Sequence, residues 1–296
     1  MSSSHIKSSH STNNKDRFNI SIIGVGLIGG SLALSLKGFK NAFITGMDID
    51  SSSLEKALKC GAIDAATEDA KEAIENADLV ILCVSPNNIL NIIKEHKNNF
   101  KKGCILTDVC GTKHNLYKEI EQIVSPDIKY IGIHPMAGKE VGGFDNACTD
   151  LFIGTGFIII PLDKSETDAT LLMKQMAEYI GAKHIAVTDA ETHDDIIAYT
   201  SDLMHISAGA LCIDYHPEMT KAYTAGAFRD CTRIANMDAG LWTELLICNN
   251  EKIIDHLDNY IKNLVKIRDA MANYDNDTLH DLLAQASTNK KEMLKR

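Results

Sequence analysis

His134 stands immediately before Pro135, in the run GIHPMAG that closes an apolar stretch. A residue preceding proline is held toward extended backbone, which fixes this imidazole at the end of a strand, where a neutral ring can take up a proton near neutral pH. Arg229 and Arg233 are four residues apart, so on a helix they share a face. A guanidinium fork of this kind grips a carboxylate through two parallel hydrogen bonds. Asp194, Ser201 and His205 fall on one face of a further helix. About 16 Å of helix axis separates Asp194 from His205, so the two can line a groove but cannot pair with each other. The fourth chemical feature is the loop GVGLIGG, with Gly24, Gly26 and Gly29 in the spacing G-x-G-x-x-G. Gly24 suits a tight turn, Gly26 lets backbone approach a pyrophosphate, and Gly29 permits close packing of helix on strand. Leu27 and Ile28 complete the loop, whose main chain opens a helix and offers unpaired N–H groups to phosphate.

The elements that must position these residues can be read from the hydrophobic pattern. Apolar strand-like runs at 20–24, 43–47, 79–84, 104–108, 130–133, 157–160 and 184–187 alternate with helical segments, the sign of a doubly wound α/β sheet. Ligands of such sheets gather at the carboxyl ends of the strands, which gives weight to Ser85, to Asp108 through Lys113, and to His134. Asp48, 19 residues past Gly29 and at the end of the second run, is placed to accept hydrogen bonds from an adenosine ribose and to repel a 2′-phosphate, favouring NAD over NADP. Asp50 is a weaker candidate for the same role. From Thr188 the period becomes helical and stays so, with Thr188 and Glu191 as a capping box. Expected domains are therefore a tail at 1–17, a Rossmann-type NAD-binding domain at 18–187, and an all-helical domain at 188–296 for substrate binding and dimerisation. The stripe Ile253, Leu257, Ile261, Leu264 and Met271 points to a homodimer through these C-terminal helices.

Composition narrows the partners. A net charge of -10 and a pI near 5.5 argue against nucleic acid or an anionic membrane, so a small anionic substrate must meet a local cluster of cations. The eight cysteines are scattered and form no CxxC pair; they read as reduced, small core residues of a cytoplasmic protein. No signal peptide or run of 18 apolar residues is read.

Taken together, GVGLIGGSLA at 24–33, TDVCGTK at 107–113, GIHPMAG at 132–138, HD at 193–194 with SDLMH at 201–205, and FRDCTRIA at 228–235 followed by Trp242 and Asn249 resemble the prephenate dehydrogenase family, in that family's order and over residues 18–265. The resemblance implies NAD-dependent oxidative decarboxylation of prephenate to 4-hydroxyphenylpyruvate, a step of tyrosine biosynthesis. Relatives act on arogenate and give tyrosine directly; a non-catalytic NAD sensor on the same fold is the reading from a different class. It also implies His134 as the catalytic acceptor, His205 near the substrate, Arg233 on a substrate carboxylate with Arg229 supporting it, and Asp194 as an interface or support residue. His193 is a weaker choice. Many relatives carry Gly-Ser where this chain has Cys110-Gly111, which leaves Thr112 or Cys110 as stand-ins for the missing hydroxyl. Lys113 either lies near the nicotinamide or substrate or is an ordinary surface lysine. Ser85 and Asp108 are placed with the cofactor.

Overall fold

A computed structural model describes residues 17–163, 167–214, 216, 218, 222–293 and 295. The expected tail at 1–17 lies outside the described residues except for Arg17. Two compact units are present, one formed by residues up to Asp194 together with Asn236–Cys248, the other by Asp195–Ala235 and the chain from Asn249 onward. Sequence reading divides the chain once, at 187/188; the units divide after Asp194, and the later segment Asn236–Cys248 packs back into the first.

The first unit is built on one eight-stranded sheet in the order β3-β2-β1-β4-β5-β6-β7-β8. Its strands are β1 Phe18–Ile23, β2 Ala42–Met47, β3 Ala65–Thr67, β4 Leu79–Leu82, β5 Ile105–Asp108, β6 Lys129–Met136, β7 Gly156–Pro161 and β8 His184–Val187. The helices are α1 Leu27–Ser35, α2 Ser51–Lys59, α3 Ala70–Ile74, α4 Pro86–His96, α5 His114–Ile123 and α6 Thr167–Tyr179. All four side chains of β4, LVIL, are buried because helices cover both faces of the sheet. Leu79 and Ile81 pack with Leu32, Leu36, Leu54 and Met173 from α1, α2 and α6, while Val80 and Leu82 turn the other way onto Ile74, Ile89, Ile93 and Ile120 from α3, α4 and α5. Successive residues of a strand face opposite layers, and here each layer is apolar.

Strands β1 to β6 are parallel, as expected, and the crevice at the β1/β4 switch is where such folds bind ligand. Two details depart from the sequence reading. The short strand β3, AAT, was not anticipated, since three small residues carry no period. Strand β7 runs antiparallel to β6, because the link between them holds only a 3-10 turn at Phe144–Asn146, and a parallel return needs a crossover helix.

The second unit is helical: the end of α7 Ala190–Ile197, a π-helical turn at Ala198–Asp202, then α8 Leu203–Ile213, α9 Gly226–Thr232, α11 Asn250–Ala272 and α12 Asn276–Met293. The capping box expected at Thr188 is not formed; Asp189 caps α7 instead, accepting from the Thr192 N–H at 2.9 Å. Helix α10, Ala239–Cys248, belongs to the first unit, where Glu244 accepts from the Asn87 N–H and the Cys248 carbonyl from the Asn115 amide. Of the predicted stripe, Ile253 is buried but Ile261, Leu264 and Met271 remain exposed, as do Leu211 and Leu283. The helical run Ala190–Ile213 is long and apolar enough to cross a membrane by length and composition alone. Its polar residues are engaged within the protein, Asp202 with the Asn249 amide and Asp194 as described below. The cysteines are all unpaired, yet Cys60, Cys212 and Cys231 are exposed, so they are not the core residues expected.

Candidate active site

The turn after β1 has the backbone that a dinucleotide needs. Gly24 has φ +91°, and a Cβ there would collide with the Cys83 carbonyl; a Cβ at Gly29 would collide with the Gly24 carbonyl. At Gly26, by contrast, a Cβ would meet nothing within 4 Å, so open space lies over the middle of the loop, where a phosphate is to sit. Helix α1 has no side-chain cap, which leaves its first-turn N–H groups available. The side chains of Leu27 and Ile28 go to the core, so only their main chain can serve the cofactor. Asp48 follows β2 and clamps the loop, accepting from the Val25 N–H at 2.6 Å and the Asp50 N–H at 2.9 Å. A carboxylate has further lone pairs for ribose hydroxyls. Asp50 caps α2, accepting from the Ser52 N–H and Ser53 hydroxyl, whereas Asp48 is the acid that also holds the glycine loop. Ser85 precedes α4 as its N-cap residue, with Pro86 at the first helical position and no side-chain cap bond.

Beyond β5 the two middle strands part. Only Ile105 and Leu106 pair with Lys129 and Tyr130, so further along, the β6 backbone on that side needs other partners. Lys113 supplies one: its ammonium, fully buried, donates to the Ile133 carbonyl at 2.9 Å and pairs with Asp108 at 2.5 Å. Asp108, also fully buried, accepts from the Tyr130 hydroxyl at 2.5 Å and the Cys110 N–H at 2.8 Å. Tyr117 receives the Gly132 N–H and donates to the Ile160 carbonyl. Burial, reinforced by the Asp108 charge, pushes both tyrosines well above their usual range, so they stay neutral donors. This overturns three expectations. Lys113 is neither a surface lysine nor presented to a ligand, and Asp108 spends its carboxylate inside the protein instead of on the cofactor. Thr112 is buried, and its hydroxyl donates to Asp194 at 3.2 Å, so it is not a substrate ligand. Nor can Cys110 replace the absent serine: its thiol is buried and pushed up to about 12.

His134, paired across the sheet with Ile158, lies two residues before the end of β6, and the carbonyl of Ile133 just before it is tied down by Lys113. The residue is half-buried, and its ring lies in surroundings that disfavour charge. Desolvation, then His193, then the Lys113 ammonium hold it well below the ordinary imidazole range, so it is neutral at neutral pH. His134 Nδ1 lies 2.9 Å from His193 Nε2, and His193 Nδ1 lies 2.6 Å from Asp194 Oδ1. His193 and Asp194 are buried on the first turns of α7. Asp194 also accepts from the N–H groups of Lys113 and His114, at the unsatisfied N-terminus of α5, where a carboxylate is favoured. The sequence ranked His193 low because adjacency to Asp194 does not reveal which residue lies across the fold.

In the second unit, His205 Nδ1 donates to the Ser201 carbonyl at 3.0 Å, one turn earlier, and burial lowers its pKa. Arg229 and Arg233 are exposed at the end of α9 and in the turn after it; the Arg233 N–H bonds the Arg229 carbonyl, so the one-turn spacing expected for a shared face is present.

A glycine turn that makes room for a pyrophosphate, an acid at the second strand, and a histidine kept neutral by burial on β6 of the same sheet define a dinucleotide-dependent dehydrogenase. Residues 31–186 match the family model for the prephenate dehydrogenase nucleotide-binding domain, and residues 189–285 that for the prephenate dehydrogenase dimerization domain. The chain belongs to the prephenate dehydrogenase family and is an NAD-dependent dehydrogenase. It is 30% identical to the prephenate dehydrogenase of Bacillus subtilis, over 90% of this chain and 73% of that one, and 35% identical to that of Lactococcus lactis, over 84% and 70%. The structure of prephenate dehydrogenase from A. aeolicus, in complex with hydroxyphenyl propionate and NAD+, superposes with a TM-score of 0.83 at 28% identity, covering 97% of this chain and all of that one.

Proposed function

We propose that this chain catalyses the NAD-dependent oxidative decarboxylation of prephenate to 4-hydroxyphenylpyruvate, with His134 as the group that draws the proton from the ring hydroxyl. The observation that carries this reading is His134 near the end of β6, its Nδ1 2.9 Å from His193 and its ring desolvated, in the same sheet as the Gly24–Gly29 turn. Bound NAD supplies the hydride acceptor. Its pyrophosphate would rest on the main chain of Gly26, Leu27 and Ile28, its ribose on Asp48, and Ser85 lies at the neighbouring strand end. As hydride leaves the carbinol carbon, His134 takes the hydroxyl proton and relieves the positive charge building there. The carbon dioxide then departs with its bonding electrons left in the ring, which becomes aromatic. Arg233, with Arg229 beside it on the same turn, serves the substrate carboxylates, and His205 supplies a further polar contact to substrate.

The helical unit makes a homodimer in this reading, supported by the dimerization-domain match and by the exposed Ile261, Leu264 and Met271. A cytoplasmic setting fits eight unpaired cysteines. The test is NADH formation by purified protein offered prephenate and arogenate separately, with NAD and then NADP. Turnover of prephenate with NAD is the expected result. Turnover of arogenate alone would move the assignment to tyrosine formation, and silence with both would overturn the catalytic reading.

A further inference from the structure

The hydrogen-bond chain behind His134 decides which of its nitrogens is the base. Asp194 is surrounded by donors: the Lys113 N–H at 2.9 Å, the His114 N–H at 2.8 Å and the Thr112 hydroxyl at 3.2 Å. Its oxygens are therefore acceptors, and the 2.6 Å contact to His193 Nδ1 requires the proton to sit on that nitrogen. A neutral imidazole with its proton on Nδ1 has a bare Nε2. In a neutral His193, Nε2 is then an acceptor, and the group 2.9 Å away, His134 Nδ1, is the donor. The second nitrogen of His134 is then bare. It borders Gly111, where a Cβ would stand 3.8 Å from Nε2, so no side chain of that residue covers the lone pair.

We infer that Asp194 and His193 form a relay that locks the proton of His134 on Nδ1, keeps Nε2 as the base, and makes His193 a positioning residue for the reaction. This rests on the reading of His134 as proton acceptor and adds to it the residue that sets its tautomer. The relay also prepares for the proton: once Nε2 is protonated, the Nδ1–H points at an acceptor backed by a carboxylate, which stabilises the imidazolium as it forms. Helix α7 thereby does two jobs with one dipeptide, Asp194 closing the N-terminus of α5 and His193 reaching His134. Rotation of either ring about its own axis is opposed because each nitrogen of His193 is already bonded.

The tautomer can be read directly in the full-length protein. Long-range proton–nitrogen correlation spectra of the nitrogen-15-labelled chain distinguish protonated from bare ring nitrogens, and His134→Gln assigns the His134 signals by their loss. Wild type should show His134 protonated on Nδ1. In His193→Phe the ring should revert to the Nε2–H form that free histidine favours, with kcat lower by about 10- to 100-fold and NAD affinity unchanged. His193→Gln offers an amide oxygen to the Nδ1–H and should recover most of the lost kcat, which a merely structural role for His193 would not produce. Protonation of wild-type His134 on Nε2, or an unchanged tautomer and kcat in His193→Phe, would overturn the relay. The wild-type spectrum needs no variant to fold and no substrate. A protein that turns over neither prephenate nor arogenate yet shows the Nδ1–H form would lose the proposed activity while keeping the relay.

Discussion

Replacing Lys113 by Met would remove one charge from a pair that has no access to water on either side, Lys113 and Asp108 both being fully buried. The Asp108 carboxylate would keep the Tyr130 hydroxyl and the Cys110 N–H but lose its counter-charge, and the Ile133 carbonyl would lose its donor beyond the reach of β5. Breaking a buried pair from one side costs about 3–5 kcal/mol, because the remaining charge has been taken out of water without compensation. With urea slopes of about 1–3 kcal/mol per molar, rising with size, the midpoint for the first unit should fall by about 1–2 M. The single tryptophan of the chain, Trp242, lies on α10 in that unit, so its fluorescence follows the right transition. The double variant Lys113→Met/Asp108→Asn removes both charges, keeps an amide oxygen for the Cys110 N–H and presents an amide N–H that the Tyr130 oxygen can accept, and should regain at least half of the loss. A loss below about 1 kcal/mol in the single variant, or no recovery in the double, would refute the argument that an uncompensated carboxylate sets the cost.

Four further outcomes are expected. His134→Ala should lower kcat by about 10²- to 10⁴-fold with NAD affinity nearly intact; wild-type kcat would end its role as proton acceptor. Asp48→Ser should weaken NAD and narrow the preference over NADP, read as the ratio of kcat/KM for the two cofactors, and an unmoved ratio would show that another group reads the ribose. Arg233→Ala should act chiefly on KM for the anionic substrate, whereas wild-type KM would take it out of the site. For pH, the folded His134 titrates below its ordinary value of 6.5, so the unfolded chain binds the extra proton first on acidification. The stability that neutral His134 contributes is complete above about 6.5 and is lost as pH falls toward the folded value, and the acid limb of kcat should likewise lie below about 6.5. An acid limb at or above that value would contradict a desolvated ring.

What the sequence made legible was local. Gly24, Gly26 and Gly29 carry their roles in their spacing, and Asp48 lies where the second strand must end, so the NAD crevice could be drawn from residue order alone. His134 was marked by the proline after it. The buried network behind it was not, because nothing near Lys113 announces burial: a lysine in a loop is usually solvated, and only the parting of β5 from β6 creates the unbonded carbonyl that draws it inward. Thr112 and Asp108 were misplaced for the same reason, their partners being Asp194 and Tyr130, distant in sequence. His193 was undervalued because its partner, His134, is 59 residues away. The reversal of β7 was hidden in a link whose lack of a helical period matters only once β6 and β7 are known to be neighbours.

That reversal has a practical consequence for anyone attaching something to this enzyme. The chain leaves β1, β2, β4, β5 and β6 at the same rim, where the glycine turn, Asp48, Ser85 and the run from Asp108 to Lys113 follow. Strand β7 starts at that rim, Gly156 beside Met136, and is carried away from it, Pro161 lying beside Ile131 near the start of β6. A dye, a surface tether or an inserted peptide placed at exposed Asp163, just past the end of β7, would emerge from the far end of the sheet and leave the crevice open. The same cargo in the link that follows β6 would hang at its mouth.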